Sequence, residues 1–228
     1  MDDASPADLV LAGGAAGDSL PQDSSREERT ITTDWQPGET WSVLTHYRNM
    51  AAPEGDTWSA PLTWEFEVTA RTSLRDEEVL EVKVELGGRQ AGELAPSYFY
   101  ITPDRRLVAL RNTVREQGEE RSIYVFFDED PEAAASGHFS IIPFDLPAQG
   151  TRARLAPAGS RIYDPVSRDA LSKFPEPSRW IGAGGGYLEI EFPNRIDGTA
   201  IRQLWSEDDL RWPVVSITPS RRSYRVRP

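Results

Sequence analysis

The side chains best suited to moving protons near neutral pH are His46 and His138. Both fall in stretches that alternate as strands do. A hydrolase triad needs a nucleophile, a histidine and a carboxylate in contact. Ser42 and Ser140 are near in sequence, but no Gly-x-Ser-x-Gly elbow accompanies them. A metal site would need both imidazoles to converge with a carboxylate. An ordinary strand histidine is the simpler account of each.

Carboxylates are the next candidates. Glu65 with Glu67, and Glu189 with Glu191, stand two apart on strands and share a face at about 6–7 Å, a spacing that suits a glycosidase acid and base. With 37 acidic residues such pairs arise by chance, and the wet face of an amphipathic strand explains them. Asp128-Glu129-Asp130-Pro131-Glu132 and Glu207-Asp208-Asp209 gather oxygen ligands of the kind Ca²⁺ takes, without EF-hand spacing. They read as solvated turns. Gly182-Ala183-Gly184-Gly185-Gly186 suggests a phosphate loop, but it precedes a strand rather than opening a helix, so a hinge is the better reading. Arg221-Arg222-Ser223-Tyr224-Arg225-Val226-Arg227 is the one basic patch. It reads as an edge strand guarded by charge, visited by the acidic N-terminal stretch, with an anion or acidic partner as the functional alternative.

Seven tryptophans carry the strongest hint of binding. Trp41 and Trp64 are in phase with aliphatic residues and belong to a core. Trp35, Trp58, Trp180 and Trp212 lie in or beside loops, where aromatics either plug a barrel end or line a ligand mouth. These four are the candidate ligand-binding residues.

The elements that must position them are strands. In Pro61–Arg71, Leu62, Trp64, Phe66, Val68 and Ala70 point one way, while Thr63, Glu65, Glu67, Thr69 and Arg71 point the other. Only a strand with one dry and one wet face reads this way. Similar runs cover residues 40–48, 78–86, 97–101, 106–114, 121–128, 138–144, 187–192, 200–205, 213–218 and 223–227. The run at 121–128 is apolar on both faces, which suggests a central strand or one covered by the segment after it. Residues 1–33 are rich in Gly, Ala, Ser, Asp and Pro without periodicity and read as a flexible acidic tail. Residues 34–228 form a single β domain, interrupted by an irregular cover segment at 143–186 with one short helix at Ser167–Phe174. The expected fold is all-β: a strongly curved antiparallel meander, an open or half barrel of about ten strands. The alternative is a two-sheet β-sandwich.

Composition narrows the function. The net charge is −12, which opposes nucleic acid and anionic surfaces as partners. The chain has no cysteine, so thiolate chemistry and cysteine-ligated metals are excluded. No apolar run approaches a membrane-spanning segment. Lys83 and Lys173 are its lysines, a bias toward arginine of the kind a GC-rich genome leaves; a bacterial source is the expectation. The acidic start lacks the basic and apolar regions of a signal peptide, so the expected location is cytoplasmic or that of a mature exported fragment.

Trp35-x-x-Gly38-x-x-Trp41-x-Val43 and the later Trp205…Arg211-Trp212-Pro213-Val214 resemble bacterial exported β-meander proteins and the half-barrels that carry lipoproteins. The resemblance is one of pattern over residues 34–228 and transfers no functional residue. The expectation is a non-enzymatic domain, without cofactor or metal, binding an apolar small molecule or lipid in its concavity. Its sign would be a dry cavity; a groove filled by Trp41, Trp64, Phe66 and Tyr124 would argue against it. The alternative is a structural or protein-interaction domain whose partner is another protein, with a filled core and an exposed aromatic patch.

Overall fold

The computed structural model describes residues 28–32, 34–48, 58–88, 91, 94–116, 119–129, 141–156, 186–194 and 198–226. Its strands are β1 (Glu28–Ile31), β2 (Thr40–Tyr47), β3 (Leu62–Leu74), β4 (Glu77–Leu86), β5 (Ser97–Ile101), β6 (Leu107–Glu116), β7 (Glu119–Phe126), β8 (Thr151–Ala156), β9 (Tyr187–Pro193), β10 (Ala200–Ser206), β11 (Val215–Ile217) and β12 (Arg221–Val226). All belong to one antiparallel 12-stranded sheet in the order β1-β8-β9-β10-β11-β12-β2-β3-β4-β5-β6-β7. The sheet curls strongly into an open half-barrel, and the described residues contain no helix.

Turn chemistry sets the hairpins. Pro37 and Gly38 lead into β2, with Gly38 at φ 92° and Glu39 N–H donating to the Gln36 carbonyl at 3.1 Å. Proline followed by a positive-φ glycine is the type II pattern. The β3–β4 loop is two residues long, Arg75 and Asp76, both left-handed at φ 53° and 63°. That conformation matches the twist of the flanking strands. Register slips by one residue between Val68 and Ala70, which bends the long β3.

The inner face of the curl buries Trp41, Val43, Trp64, Phe66, Val68, Leu80, Val82, Val84, Leu86, Phe99, Ile101 and Leu110 in one cluster. A second inner cluster holds Ile31, Ala153, Leu188, Ile190 and Trp205. Leu146 packs against both and joins them. The outer face is dry in two places, around Leu204, Val215, Ile217 and Tyr224, and around Val79, Tyr100, Val108 and Ala109.

Five sequence expectations change. Residues 28–31, placed in the tail, form β1, which pairs with β8 and buries Ile31 completely. A four-residue strand with one inward apolar side chain carries no readable period. The irregular segment 143–186 contains a strand, β8. Residues 141–144, read as part of a strand, form none and instead lie across the groove. β7 is not central but, among the described residues, the terminal strand of the sheet; the segment from residue 130 that the alternative set over it lies outside the described residues. The basic C-terminal strand is no edge: β12 sits between β11 and β2, and Arg221 through Tyr224 are buried. The Ser167–Phe174 helix lies outside the described residues.

Candidate functional site

The groove floor is aromatic. Trp35 stacks on Trp212 at 6.1 Å, and Trp41 lies 5.0 Å from Trp35, 5.2 Å from Trp212 and 5.4 Å from Phe66. Strand alternation aims Trp41 and Phe66 inward as cross-strand partners, while Trp35 and Trp212 enter from the chain before β2 and before β11. Trp35 Nε1 donates to the Arg211 carbonyl at 2.9 Å, which locks the two entering segments together. Trp41 Nε1 is buried and meets no acceptor.

A strap, residues 141–150, covers this floor. Phe144 stacks on Phe99 at 4.4 Å and meets Trp212 edge-on at 5.6 Å, and Ile142 is buried in the same cluster. Such rings gain about 0.5–1.5 kcal/mol per pair beyond the area they bury. The strap is tied by polar groups on the other half of the groove. Arg221 donates to the Ile142 carbonyl at 3.1 Å and pairs with Asp145. Gln203 Nε2 donates to the Asp145 carbonyl at 2.7 Å, and its Oε1 accepts from Trp205 Nε1 at 3.0 Å. The Tyr47 hydroxyl donates to the Ile141 carbonyl and accepts from Trp64 Nε1 at 2.9 Å. Burial pushes the Tyr47 phenol up to about 12. Gln149 N–H donates to the Asp104 carbonyl at 3.3 Å. Beside it Arg105 lies over Trp205 at 5.3 Å, its pKa lowered by burial to about 10.

Next along β12, Arg225 pairs with Asp209 at 3.3 Å, and Asp209 also takes two bonds from Arg211 at 3.0 Å. Burial pushes Asp209 up, but the Arg211 bonds and the Arg225 charge outweigh it and hold the carboxyl below its usual range. The acidic turn 207–209 is therefore an ion-paired clamp, with Glu207 against Arg29 at 3.3 Å.

Of the four candidate ligand residues, Trp35 and Trp212 come together, buried and stacked, in the groove floor. Trp58 sits on the opposite, outer face, where Arg222 lies over its ring at 4.1 Å. Trp180 lies outside the described residues. His46 is also on the outer face, its Nδ1 donating to the Ser59 carbonyl at 3.1 Å. Burial, with Arg222 beside it, lowers its pKa below the usual value. His138 lies outside the described residues. Glu65 and Glu67 face solvent, and Glu189 and Glu191 pair with Arg202 at 3.1 and 3.5 Å, so neither pair converges in a cleft. Among the described residues no group of three His, Asp or Glu could hold a metal.

The second exceptional place is the β7 margin. Among described residues the exposed large apolar side chains are Leu94, Ile123 and Tyr124, and two of these three share β7. Tyr124 extends an outer-face aromatic row, 6.0 Å from Tyr100 and 6.2 Å from Phe126. The β3–β4 tip supports this row: Arg75 lies over Phe126 at 3.3 Å and pairs with Glu129 at 2.6 Å. The buried arginines of β12 and the open margin of β7 both escaped the sequence reading. A run apolar on both faces and directly followed by an acidic turn was the available signal for the second.

Fold and site together define a class, an all-β curled-sheet domain whose aromatic groove floor lies under a strap and which, among the described residues, exposes an apolar margin on β7. Comparison with known proteins adds no family to that description: no family model, curated protein or solved structure matches this chain.

Proposed function

We propose that this chain is a protein-interaction domain that docks a partner on the β7 margin. The observation that carries the reading is the contrast in exposure: Trp41, Trp64 and Phe66 are buried beneath the strap, whereas Ile123 and Tyr124 are 49% and 43% exposed on a terminal strand. The exposed apolar half of a terminal strand, here Ile123 to Phe126, offers free pairing groups and apolar side chains that recruit other chains. The test is a photo-crosslinker placed at residue 124 and, as control, at exposed Ser73, in the protein's own host. A discrete protein adduct from 124 and none from 73 supports docking. Equal or absent adducts at both positions count against it.

A second reading has its own support. The unpaired Trp41 N–H inside the aromatic floor is a donor that an amphipathic ligand displacing the strap would satisfy. Native mass spectrometry of protein from its host, before and after denaturation, separates the two. A reproducible small added mass lost on unfolding favours the ligand; a second chain, or the bare chain, does not.

A further inference from the structure

We infer that the outer edge of β7 takes an extended partner strand with an apolar centre and lysine or arginine at both ends. This rests on the docking reading and names the partner's chemistry.

The backbone supplies the first argument. Phe127 N–H donates to the Val108 carbonyl at 3.0 Å, and the register continues as Val125 opposite Leu110 and Ile123 opposite Asn112. In an antiparallel ladder, pairing groups point to alternate sides, so these odd-numbered residues turn theirs toward β6. Ser122 and Tyr124 therefore turn their N–H and C=O outward. Among the described residues no strand lies beyond them.

Side chains supply the second. An added strand sets its inner-facing residues beside Ile123 and Val125, which favours aliphatic groups. Its outer-facing residues meet Tyr124 and Phe126, which favours aromatic ones.

Charge supplies the third and selects the ends. Glu119 and Glu120 open the strand, and Asp128 and Glu129 follow it after Phe127; Glu119, Asp128 and Glu129 are exposed. Arg121 offsets one of the two opening glutamates and Arg75 neutralises Glu129, which leaves one excess acid at the first end and Asp128 at the second. Both ends of the edge are thus acidic, and a segment basic at both ends is complementary in either direction. A second copy of β7 brings the same acids to the same margin and is disfavoured.

The test uses the full chain and two synthetic peptides of about ten residues. Both have an alternating valine and phenylalanine centre; one carries lysine ends, the other glutamate ends. Ser122→Pro removes an outward N–H without touching the β6 ladder, a substitution edge strands tolerate. The expected result is saturable binding of the lysine-ended peptide, at least about tenfold tighter than the glutamate-ended one, weakened by salt and lost in Ser122→Pro. Should Ser122→Pro unfold, Tyr124→Lys sets a cation against the apolar centre and abolishes the same binding. Equal affinity for both peptides, lost in either variant, overturns the charge assignment and leaves docking on β7 standing. Binding that survives both variants, or no binding of the lysine-ended peptide, overturns strand addition itself. A concentration-dependent dimer abolished by Ser122→Pro makes a second copy the occupant and overturns the partner chemistry.

Discussion

β7 and β12 invert what their compositions suggest. β12 carries Arg221, Arg222 and Arg225, yet it lies between β11 and β2 with its first four residues buried. β7 is apolar on both faces from Ile123 to Phe126, yet among the described residues it ends the sheet with Ile123 and Tyr124 exposed. A buried cation needs partners already in place, and β12 has them from distant chain: Asp145 and the Ile142 carbonyl for Arg221, Asp209 for Arg225, the Trp58 ring for Arg222. An exposed apolar strand needs nothing in order to fold, so its composition is free to answer to something outside the domain. A strand's place in a sheet therefore depends on what remote segments supply, and its own side chains report that only in part.

The sharpest way to break the comparison is to strip β12 of one partner. Asp145→Ala takes its carboxylate from the buried Arg221 guanidinium, which keeps the Ile142 carbonyl. Removing one member of a buried pair costs about 3–5 kcal/mol. Urea unfolding should lose that amount, while Arg221→Met combined with Asp145→Leu should recover most of it. A loss under about 1 kcal/mol for Asp145→Ala would mean that the Arg221–Asp145 pair adds little to the backbone ties and ring contacts that hold the strap.

A smaller loss is expected one step along the strand. Thr45 and Ser223 share a buried hydroxyl–hydroxyl bond at 3.2 Å across β2 and β12. Ser223→Ala removes this bond while Thr45 keeps its hydrogen bond with Tyr47, and should cost about 0.5–1.5 kcal/mol by urea unfolding; a cycle with Thr45→Val isolates the pair.

These two pairs also show where sequence reasoning stops. Alternation placed β2, β3, β4, β9 and β10 within one or two residues of their observed limits, because each has one dry face whose period is visible locally. The curled open sheet followed from their number and short turns. Arg221 was not legible as buried, since the residue that neutralises it is 76 positions away. Trp35 and Trp212 were legible as loop aromatics but not as neighbours 6.1 Å apart, because that depends on which strands flank β2. β1 and β8 were missed because each is short and is recognised by its pairing with the other.

The outer face offers a pH test of the β12 side. His46 stands opposite Arg222 in register, and its pKa is lowered by burial first and by the Arg222 charge as well. With the folded value below the unfolded value near 6.5, His46 contributes stability that is full above pH 6.5. That contribution falls as pH drops through the lowered folded value. His46→Asn should flatten this part of the stability curve between about pH 7 and 5. Identical curves for the two proteins would place the acid sensitivity elsewhere.

β7 should give the smallest stability effect. Ile123→Thr with Tyr124→Ser removes two exposed apolar side chains, keeps strand-forming residues at low steric demand and leaves the β6 ladder intact. Surface changes of this kind move stability by about 0.5 kcal/mol or less. The expected denaturation midpoint is therefore that of the parent, while binding of the lysine-ended peptide is lost. If instead the double variant unfolds as readily as Asp145→Ala, Ile123 and Tyr124 are structural after all. The contrast between a strand that needs its partners to fold and a strand that folds in order to meet one would then collapse.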